Sequence, residues 1–558
     1  MKLLAARTAP RVGGMQASTL SIALAGSLLM WAAQPPLAFS FLAWIAPVPW
    51  LMLVRADELP GRRPYRALYF AGMIYWLAAI QWLRLAHPAV YIGWFVLAAY
   101  LAVYIPVFVG ITRVAVHRLR VPLWLAAPVV WTGLELARAH LFTGFLMGSL
   151  AHTQVHWTTL IQISDLVGEY GVDFLIVAVA AAIASVLQPP RRYAAPIPAA
   201  ALMAAALAYG NWRLQQQAVL PTVGADPRSA RIALIQGNSL ADWRIDLEKQ
   251  REIMEEYIGQ SVAALAKAKQ TGDGRAIDLV VWPETTFRSG LREVDSNFRV
   301  PPTWPRTRKQ IETDGPRYMA ALTEQLGTPL LVGTDRVHFI DDPKAPIDDP
   351  PYQAWNSSVL VGRDGKIIGT YDKSHLVMFG EYIPLAKWFP NLYRLSPITA
   401  GTEEGDGPKA LCTGGVCYSP NICYETAIPH VIRNQMTTLA RAGTPPDILV
   451  NITNDSWYWG SSELDMHLAC DVFRAIEARR PMVIAANGGI SAWIDAYGRI
   501  RAQSPRQKPD VIIADVEIRH VDSLYMRYGD WFAGLCLACA VSVVLINWYS
   551  ARMSNRED

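Results

Sequence analysis

The chain has 558 residues, of which 52% are hydrophobic and only 18% charged, with 20 tryptophans and a net charge of +4. This length is enough for two domains, and the apolar excess is typical of a membrane protein rather than of an ordinary soluble one. The scattered basic residues exclude a nucleic-acid-binding stripe. Residues 17–210 and 531–549 are largely apolar, whereas 211–528 have the mixed composition of a globular domain.

Eight apolar stretches are candidates for membrane-spanning helices. A helix needs roughly 20 mostly apolar residues to cross a hydrocarbon core about 30 Å thick. The first stretch follows Lys2, Arg7 and Arg11 and is also compatible with a cleaved signal peptide, although a second apolar run follows almost at once. The stretches are 17–34, 37–54, 67–84, 89–112, 121–138, 171–188, 194–210 and 530–549.

The loops between these stretches differ in their content of lysine and arginine. Loops rich in these residues stay on the cytoplasmic side of a membrane. Arginines are frequent in the N-terminal arm and after the second, fourth and sixth stretches, and nearly absent from the alternate loops. We therefore predict that both termini are cytoplasmic and that the domain after the seventh stretch lies on the opposite side of the membrane, which in a bacterium is the periplasmic side. The expected division is a seven-span membrane domain (1–215), a globular domain (228–520) and a C-terminal transmembrane helix (528–550).

In the mixed region, short β-rich runs alternate with helical ones, which predicts an α/β domain with mixed sheets. Turn residues around Asp364-Gly365 and Tyr497-Gly498 predict two hairpins, which pair 357–361 with 366–371 and 490–494 with the run from 499 onward. The stretches 285–314, 338–354 and 385–409 fit neither pattern, and loops of that length are commonly functional lids or disordered. The predicted strands are 231–236, 278–282, 329–333, 416–424, 447–452, 481–486 and 510–516. The predicted helices are 243–268, 315–326, 428–441 and 463–479.

The six cysteines show no spacing typical of a zinc site. Cys412 and Cys417 are separated by Thr-Gly-Gly-Val and are compatible with a disulfide in an oxidising compartment or with two reduced thiols that flank a turn.

Three reactive side chains follow predicted strands. Glu284 ends the run Val-Val-Trp-Pro-Glu, Lys373 follows the first hairpin, and Cys423 lies at the end of the run that begins at 416. Taken singly, each is more often a solvated charge or a small core residue. Taken together and in this order, they indicate a Glu–Lys–Cys catalytic set.

These motifs resemble those of the nitrilase, or carbon–nitrogen hydrolase, superfamily and, within it, the apolipoprotein N-acyltransferases. The resemblance covers almost the whole chain and implies an eight-span α-helical transmembrane bundle with a periplasmic αββα sandwich domain. The chain departs from the family pattern at Met378, at 144–147 and at Trp459. The matching motifs are Gln236-Gly237-Asn238 with Trp243, Trp282-Pro283-Glu284, Lys373 with His375-Leu376-Val377 and Phe379-Gly380-Glu381, Cys423-Tyr424-Glu425, Asn454-Asp455-Ser456-Trp457, Arg474-Ala475-Ile476-Glu477 and Asn487-Gly488-Gly489-Ile490.

The chemistry of a thiol nucleophile assigns a role to each member of the set. A free thiol with a pKa of about 8.5 is mostly protonated at neutral pH and needs a base or a cation to become a thiolate. We expect Glu284 to be the general base and Lys373 to favour the thiolate and stabilise an oxyanion. The resemblance supports these roles and implies that Cys423 forms a thioester.

Four further residues are candidates for supporting or substrate-positioning roles. We expect Glu381 to fix the geometry of Lys373 or Glu284. Glu425 is expected either to point to the same side as Cys423 or to support a loop. The resemblance matches Trp243 and Tyr424 to family positions important for activity, although ordinary aromatic packing also explains them. We expect His375, which lies beside the set, to have a structural role.

The resemblance also implies the substrates. A phospholipid, typically phosphatidylethanolamine, would donate an acyl chain to Cys423, and the acceptor would be the N-terminal amine of diacylglyceryl-cysteine in an apolipoprotein. No cofactor or metal is expected, and we expect a monomer in the bacterial inner membrane. Residues 385–393 combine aromatic and basic side chains and are expected to form either a membrane-dipping arm or a buried loop.

Two other functions are compatible with parts of this pattern. One is a membrane-tethered amidase or nitrilase that uses the same three residues on small amides or nitriles. The other is a non-catalytic transporter or receptor with a degenerate sensor domain, for which intramembrane charges are expected.

Overall fold

The computed structural model describes residues 11–12, 15–16, 18–219, 228–241, 247–270, 274–395 and 401–557. The chain divides into two compact units. The first comprises Met1–Arg84, Val90–Val219 and Tyr528–Asp558, and the second comprises Leu85–Ala89 and Leu220–Arg527.

The first unit is almost entirely helical. Two short strands, β1 (Arg11–Val12) and β2 (Met15–Gln16), precede the helices, and the C-terminal helix Trp531–Glu557 completes the unit. The intervening helices are α1 (Thr19–Ala33), α2 (Val48–Arg55), α3 (Pro64–Ala79), α4 (Val90–Leu101), α5 (Tyr104–His117), α6 (Leu123–His140), α7 (Thr158–Ile161), α8 (Ser164–Val167), α9 (Tyr170–Leu187) and α10 (Pro196–Val219).

Helices occupy all eight apolar stretches that the sequence singles out. Within the described residues, three segments are long and apolar enough to cross a membrane: Val90–His117, Tyr170–Leu187 and Trp531–Met553. Others are shorter than a span requires, because α1 has 15 residues and a helix of that length measures only about 22 Å at about 1.5 Å per residue. The stretch 37–54 is divided between a 3-10 helix, Ser40–Trp44, and α2.

The second unit contains two β-sheets. Its strands are β3 (Ser229–Gln236), β4 (Leu279–Val281), β5 (Phe287–Val294), β6 (Leu330–Phe339), β7 (Tyr352–Val361), β8 (Ile367–Asp372), β9 (Leu411–Thr413), β10 (Val416–Ile422), β11 (Ile448–Asn454), β12 (Met482–Asn487), β13 (Ala492–Ile494), β14 (Ile500–Gln503) and β15 (Asp510–Glu517). A seven-stranded sheet has the order β15-β3-β4-β6-β7-β8, with β5 also paired to β6, and a six-stranded sheet has the order β14-β13-β12-β11-β10-β9.

Helices cover the outer faces of both sheets. They are α11 (Leu247–Gln270), α12 (Arg308–Leu326), α13 (Pro429–Arg441) and α14 (Glu463–Ala478), and a short helix, α15 (Leu524–Tyr528), follows the last strand. One apolar core, with members such as Ile232 and Val450, lies between the sheets. A second core packs α11 and α12 against the other face of the seven-stranded sheet. The resulting layers are those of the expected αββα sandwich, in which alternate side chains of the seven-stranded sheet face the two cores.

The structure confirms the predicted strands and hairpins and most of the predicted helices. Residues 242–246, in the first turn of the helix predicted at 243–268, lie outside the described residues. The expectation that 285–314 is one irregular stretch is wrong, because β5 and the start of α12 lie there. The alternation of β5 is interrupted by a register shift between Phe287 and Leu291, and Gly290 within it has a φ of +66°. An irregular edge strand of this kind lacks the period of two on which the prediction depended.

Candidate active site

The three candidate catalytic residues follow strands that run in the same direction within each sheet. Glu284 comes after β4, which is parallel to β6. Lys373 directly follows β8, and β8 is also parallel to β6 because β6, β7 and β8 pair antiparallel in turn. Cys423 directly follows β10, which is parallel to β11. Side chains that follow parallel strands collect at one edge of a sheet, which is where ligand sites of α/β folds commonly form.

Cys423 is the first residue of a 3-10 helix, Cys423–Ala427, and has a φ of +54°. Thr285, next to Glu284, and Phe379, close to Glu381, also have positive φ values, of 50° and 62°. Non-glycine residues rarely adopt this left-handed region, and those that do concentrate at functional sites. Backbone strain therefore coincides with the predicted catalytic residues.

Both oxygens of Glu284 accept hydrogen bonds. Asn356 Nδ2 donates to Oε1 at 2.6 Å, and the backbone N–H of Asn454 donates to Oε2 at 2.8 Å. Burial is the main reason that the pKa of Glu284 is raised above its ordinary 4.5, with Lys373 acting in the opposite direction and Glu381 adding to the rise. A fixed carboxylate with a raised pKa is suited to accept a proton near neutral pH.

A glycine on β6 makes room for the Glu284 segment. A Cβ atom placed on Gly333 would lie 2.4 Å from the carbonyl oxygen of Pro283 and 2.6 Å from the Cα of Glu284. Any larger residue would therefore displace the backbone that carries the carboxylate. A glycine inside a strand often marks such a close approach of another backbone segment.

The ammonium of Lys373 is buried against Glu381, and its Nζ donates to Glu381 Oε1 at 2.9 Å. Burial lowers the pKa of Lys373, but the charges of Glu381, Cys423, Glu284 and Glu425 outweigh this effect and raise it. The lysine therefore remains a cation.

Glu381 also joins the segments on either side of it. Its Oε2 accepts from the backbone N–H of Val377 at 2.8 Å. Its own carbonyl accepts from the backbone N–H of Thr402 at 2.9 Å. The segments that contain Glu381 and Thr402 therefore meet at the residue that binds Lys373.

Glu425 is fully buried and supports a loop, which is one of the two roles expected for it. Its Oε1 accepts from the backbone N–H groups of Ser374 and His375 at 2.8 and 3.0 Å and from Tyr371 Oη at 2.7 Å. Its Oε2 accepts from the N–H of Ile422 at 2.7 Å. This carboxylate therefore connects the backbone after Lys373 to the backbone before Cys423.

The thiol of Cys423 is half-buried and forms no disulfide in the described part of the chain. Burial, followed by the Glu284 carboxylate, raises its pKa well above the ordinary value, and Lys373 opposes this rise only in part. Lys373 lowers the pKa of the thiol, which is the direction expected from the sequence, but it does not offset burial and the Glu284 carboxylate. A proton acceptor is required, and Glu284 is the carboxylate that acts most strongly on the sulfur.

The remaining predicted residues lie beside this centre or outside the described residues. The ring of Tyr424 stacks on that of His375, with centroids 6.3 Å apart. The backbone of His375 is part of the Glu425 network, in agreement with a structural role. Trp243 lies outside the described residues.

Asn356 is a site residue that the sequence did not single out. Its Nδ2 lies between the two acidic groups, 2.6 Å from Glu284 and 3.2 Å from Glu381. A buried amide is costly unless it is hydrogen-bonded, so a polar residue at the start of the buried half of β7 was the available signal.

Cys412 and Cys417 form a disulfide. They are directly opposed across the antiparallel pair β9 and β10. The bond therefore closes the far end of the strand that leads to Cys423.

Comparisons with known proteins define the class to which this fold and site belong. The family model described as "Carbon-nitrogen hydrolase" matches residues 231–525, which contain every candidate catalytic residue. A second, described as "Apolipoprotein N-acyltransferase N-terminal domain", matches residues 26–182. The solved structures include a mutant of the Nesterenkonia AN1 amidase of the nitrilase superfamily. It is 16% identical, covers 56% of this chain and 100% of its own, and has a TM-score of 0.36, too low to support a conclusion about function.

Curated relatives match over nearly the full length. The apolipoprotein N-acyltransferase of Rhodopirellula baltica is 32% identical over 94% of this chain and 97% of its own. That of Geobacter metallireducens is 32% identical over 94% of each chain. The chain therefore belongs to the apolipoprotein N-acyltransferase family.

Proposed function

We propose that this enzyme transfers an acyl chain from a phospholipid, through a thioester on Cys423, to the N-terminal amine of diacylglyceryl-cysteine in apolipoproteins. The observation that supports it most directly is the electrostatic coupling of Cys423 with Glu284 and Lys373 at the strand ends, in a chain of this family. The name of the relatives is the basis for proposing acyl transfer to apolipoproteins. The site geometry is the basis for proposing Cys423 as the nucleophile.

In the first half-reaction, Glu284 accepts the thiol proton and the sulfur of Cys423 attacks the ester carbonyl of the phospholipid. Lys373 stabilises the oxyanion that forms, because a fixed cation in a site of low polarity acts strongly on developing negative charge. The tetrahedral state collapses to the thioester. The lysophospholipid alkoxide leaves and takes the proton from Glu284.

In the second half-reaction, the amine of the apolipoprotein attacks the thioester. The amide forms, the sulfur leaves, and the amine proton returns through Glu284 to the thiol. Glu381 and Asn356 hold Lys373 and Glu284 in place throughout. Glu425 holds the segments of Lys373 and Cys423 together.

The proposed setting is the bacterial inner membrane, crossed by eight spans, with the domain at 228–520 on the periplasmic side and the protein acting as a monomer. The Cys412–Cys417 disulfide supports an oxidising compartment for this domain. Phosphatidylethanolamine is the proposed donor. A membrane location brings both lipid-linked substrates to one enzyme.

The segment 385–389, which follows Glu381, is proposed to contact the lipid. Leu385, Trp388 and Phe389 on it are 56%, 76% and 61% exposed, and Lys387 lies among them. Exposed aromatic and basic residues in one short segment are typical of membrane-interface segments. This exposure favours the membrane-dipping arm over the buried loop.

Intact mass spectrometry of the purified full-length enzyme tests the proposal. After incubation with phosphatidylethanolamine and no acceptor, we expect a fatty-acyl adduct on Cys423 that a diacylated lipopeptide then removes. Cys423→Ser should yield no thioester. An adduct at another residue, or no adduct with any phospholipid, would contradict the proposed reaction.

The alternative function, a membrane-tethered amidase or nitrilase, is distinguished by the same sample. It predicts release of ammonia from small amides or nitriles without phospholipid consumption. The near-full-length match to acyltransferases, including the N-terminal domain, favours acyl transfer.

A further inference from the structure

A group of buried ionisable residues lies behind Cys423 and has no part in the proton transfers described above. It comprises Asp455, which follows β11, and Glu463, His467 and Asp471 on α14, none of them more than 3% exposed. Removing several charges from water is costly unless each is paired. Such a group therefore calls for a structural or functional explanation.

His467 connects this group to the backbone of the nucleophile. Its Nε2 lies 3.1 Å from the carbonyl oxygen of Cys423, and its Nδ1 lies 3.3 Å from Asp455 Oδ1 and 3.8 Å from Glu463 Oε1. A carbonyl and an ionised carboxylate such as that of Asp455 only accept hydrogen bonds, so both ring nitrogens carry a proton in this arrangement. His467 is therefore an imidazolium that donates in both directions.

The charges that surround the ring agree with this protonation. Burial lowers the pKa of His467, but Asp455, Asp471 and Glu463 outweigh it and raise the pKa to about 10. Thr426 Oγ1 and Asn451 Nδ2, at 3.3 and 3.4 Å from Nε2, are uncharged. The imidazolium therefore has carboxylates next to Nδ1. Next to Nε2 it has the Cys423 carbonyl and two uncharged side chains.

Asp455 is also connected to the thiol of Cys423, through Thr453. Its Oδ1 accepts from Thr453 Oγ1 at 2.6 Å, and Thr453 is in hydrogen-bond contact with the thiol of Cys423. One carboxylate oxygen therefore connects, through Thr453, to the sulfur and, through His467, to the carbonyl of the same residue. Cys423 is held at both ends while its backbone adopts the left-handed conformation.

We propose that His467, oriented by Asp455, is a positioning residue whose Nε2–H binds the Cys423 carbonyl and keeps the backbone that directs the sulfur toward Glu284 and Lys373. The proposal rests on Cys423 being the nucleophile of the proposed function. His467 itself touches neither substrate nor the reacting sulfur. Its loss acts on the rate of acylation rather than on phospholipid binding, because misplacement of a reacting atom slows the chemical step.

The test compares two substitutions in the full-length enzyme. His467→Gln retains a donor near the position of Nε2, whereas His467→Met fills similar space without one. The measured quantity is the rate of acyl-adduct formation on Cys423 with phosphatidylethanolamine in mixed micelles, over a range of lipid concentrations. We expect His467→Met to lower the maximal rate on the order of 100-fold and His467→Gln about 10-fold, with the half-saturating lipid concentration unchanged.

A matched control is available in the same domain. His338 forms a comparable pair with Asp295, with Nε2 and Oδ1 2.9 Å apart, and the ring is partly exposed. His338→Met should leave the acylation rate unchanged. Gel filtration and the thermal midpoint report whether each variant is folded.

Two results would overturn the positioning role: a folded His467→Met enzyme that acylates at the wild-type rate, or equal losses for the Met and Gln variants. If His467→Met does not fold, Asp455→Asn replaces it, since this change keeps the volume and removes the charge that orients the ring. About a 10-fold slower acylation is then expected, and an unchanged rate contradicts the inference. If the wild-type enzyme forms no adduct on Cys423, the proposed function fails instead.

Discussion

Glu284 combines two properties that determine how the reaction should depend on pH. In the proposed reaction only its ionised form accepts the thiol proton, and its pKa is raised, mainly by burial. The acylation rate should therefore fall as the pH drops through this raised pKa, at a higher pH than an exposed glutamate would produce. Replacing the carboxylate by an amide, Glu284→Gln, should lower the rate on the order of 100- to 10,000-fold and remove this acid limb.

The hydrogen bond from Asn356 allows a second test of Glu284, through the pH at which the acylation rate falls. Its hydrogen bond lowers the pKa of Glu284, so Asn356→Ala should move the acid limb of the pH–rate profile to higher pH. Gln353→Ala, on the same strand but outside the network, is the control and should leave the limb in place. An unchanged limb in Asn356→Ala would show that another group accepts the proton.

Position within an element decided which site residues the sequence could identify. Glu284, Lys373 and Cys423 each follow a β-rich run, so a strand-end argument finds them. Asn356 lies within a strand and meets Glu284 across 72 residues of sequence. His467 lies within a helix and meets the Cys423 carbonyl across 44 residues. Only the folded arrangement brings such residues together.

At the scale of elements, the crossing of the Glu284 segment over β6 depends on Gly333. Gly333→Ala places a Cβ 2.4 Å from the Pro283 carbonyl, so the Glu284 backbone must move. We expect the acylation rate to fall on the order of 100-fold, since displacements of about 1 Å have effects of this size.

A matched glycine on α11 serves as the control for this substitution. The space around Gly259 is open, and Gly259→Ala should raise the free energy of unfolding by up to about 1 kcal/mol through helix propensity, with activity unchanged. Wild-type acylation by a folded Gly333→Ala enzyme would show that the close approach does not position Glu284.

Strand and helix periodicity predicted most elements of the catalytic domain because their buried faces are regular. It missed β5, whose register shifts, and β9, which has only three residues. An irregular strand lacks a regular period of two, and β9, which is only partly buried, lacks the fully apolar run that identified the equally short β4.

At the scale of the whole molecule, the proposed topology makes a prediction about sidedness. If eight spans place both termini in the cytoplasm, a fluorescent protein fused after residue 558 should fluoresce in bacterial cells, because such fusions fold on the cytoplasmic side. Protease added to intact spheroplasts should cleave within 228–520 and leave the fused reporter intact. A protected catalytic domain would contradict the orientation inferred from the arginine-rich loops.

The contact between Glu381 and Thr402 has a practical consequence for exchanging parts between relatives. The Glu381–Thr402 backbone hydrogen bond and the Lys373–Glu381 ion pair form a neck, and the segment 385–389, here called the tip, carries exposed aromatic side chains. Replacing the tip by that of another acyltransferase should change the donor-lipid preference and leave thioester formation unchanged. Cutting inside the neck would instead disable catalysis, so Glu381 and Thr402 mark where such a chimera has to be joined.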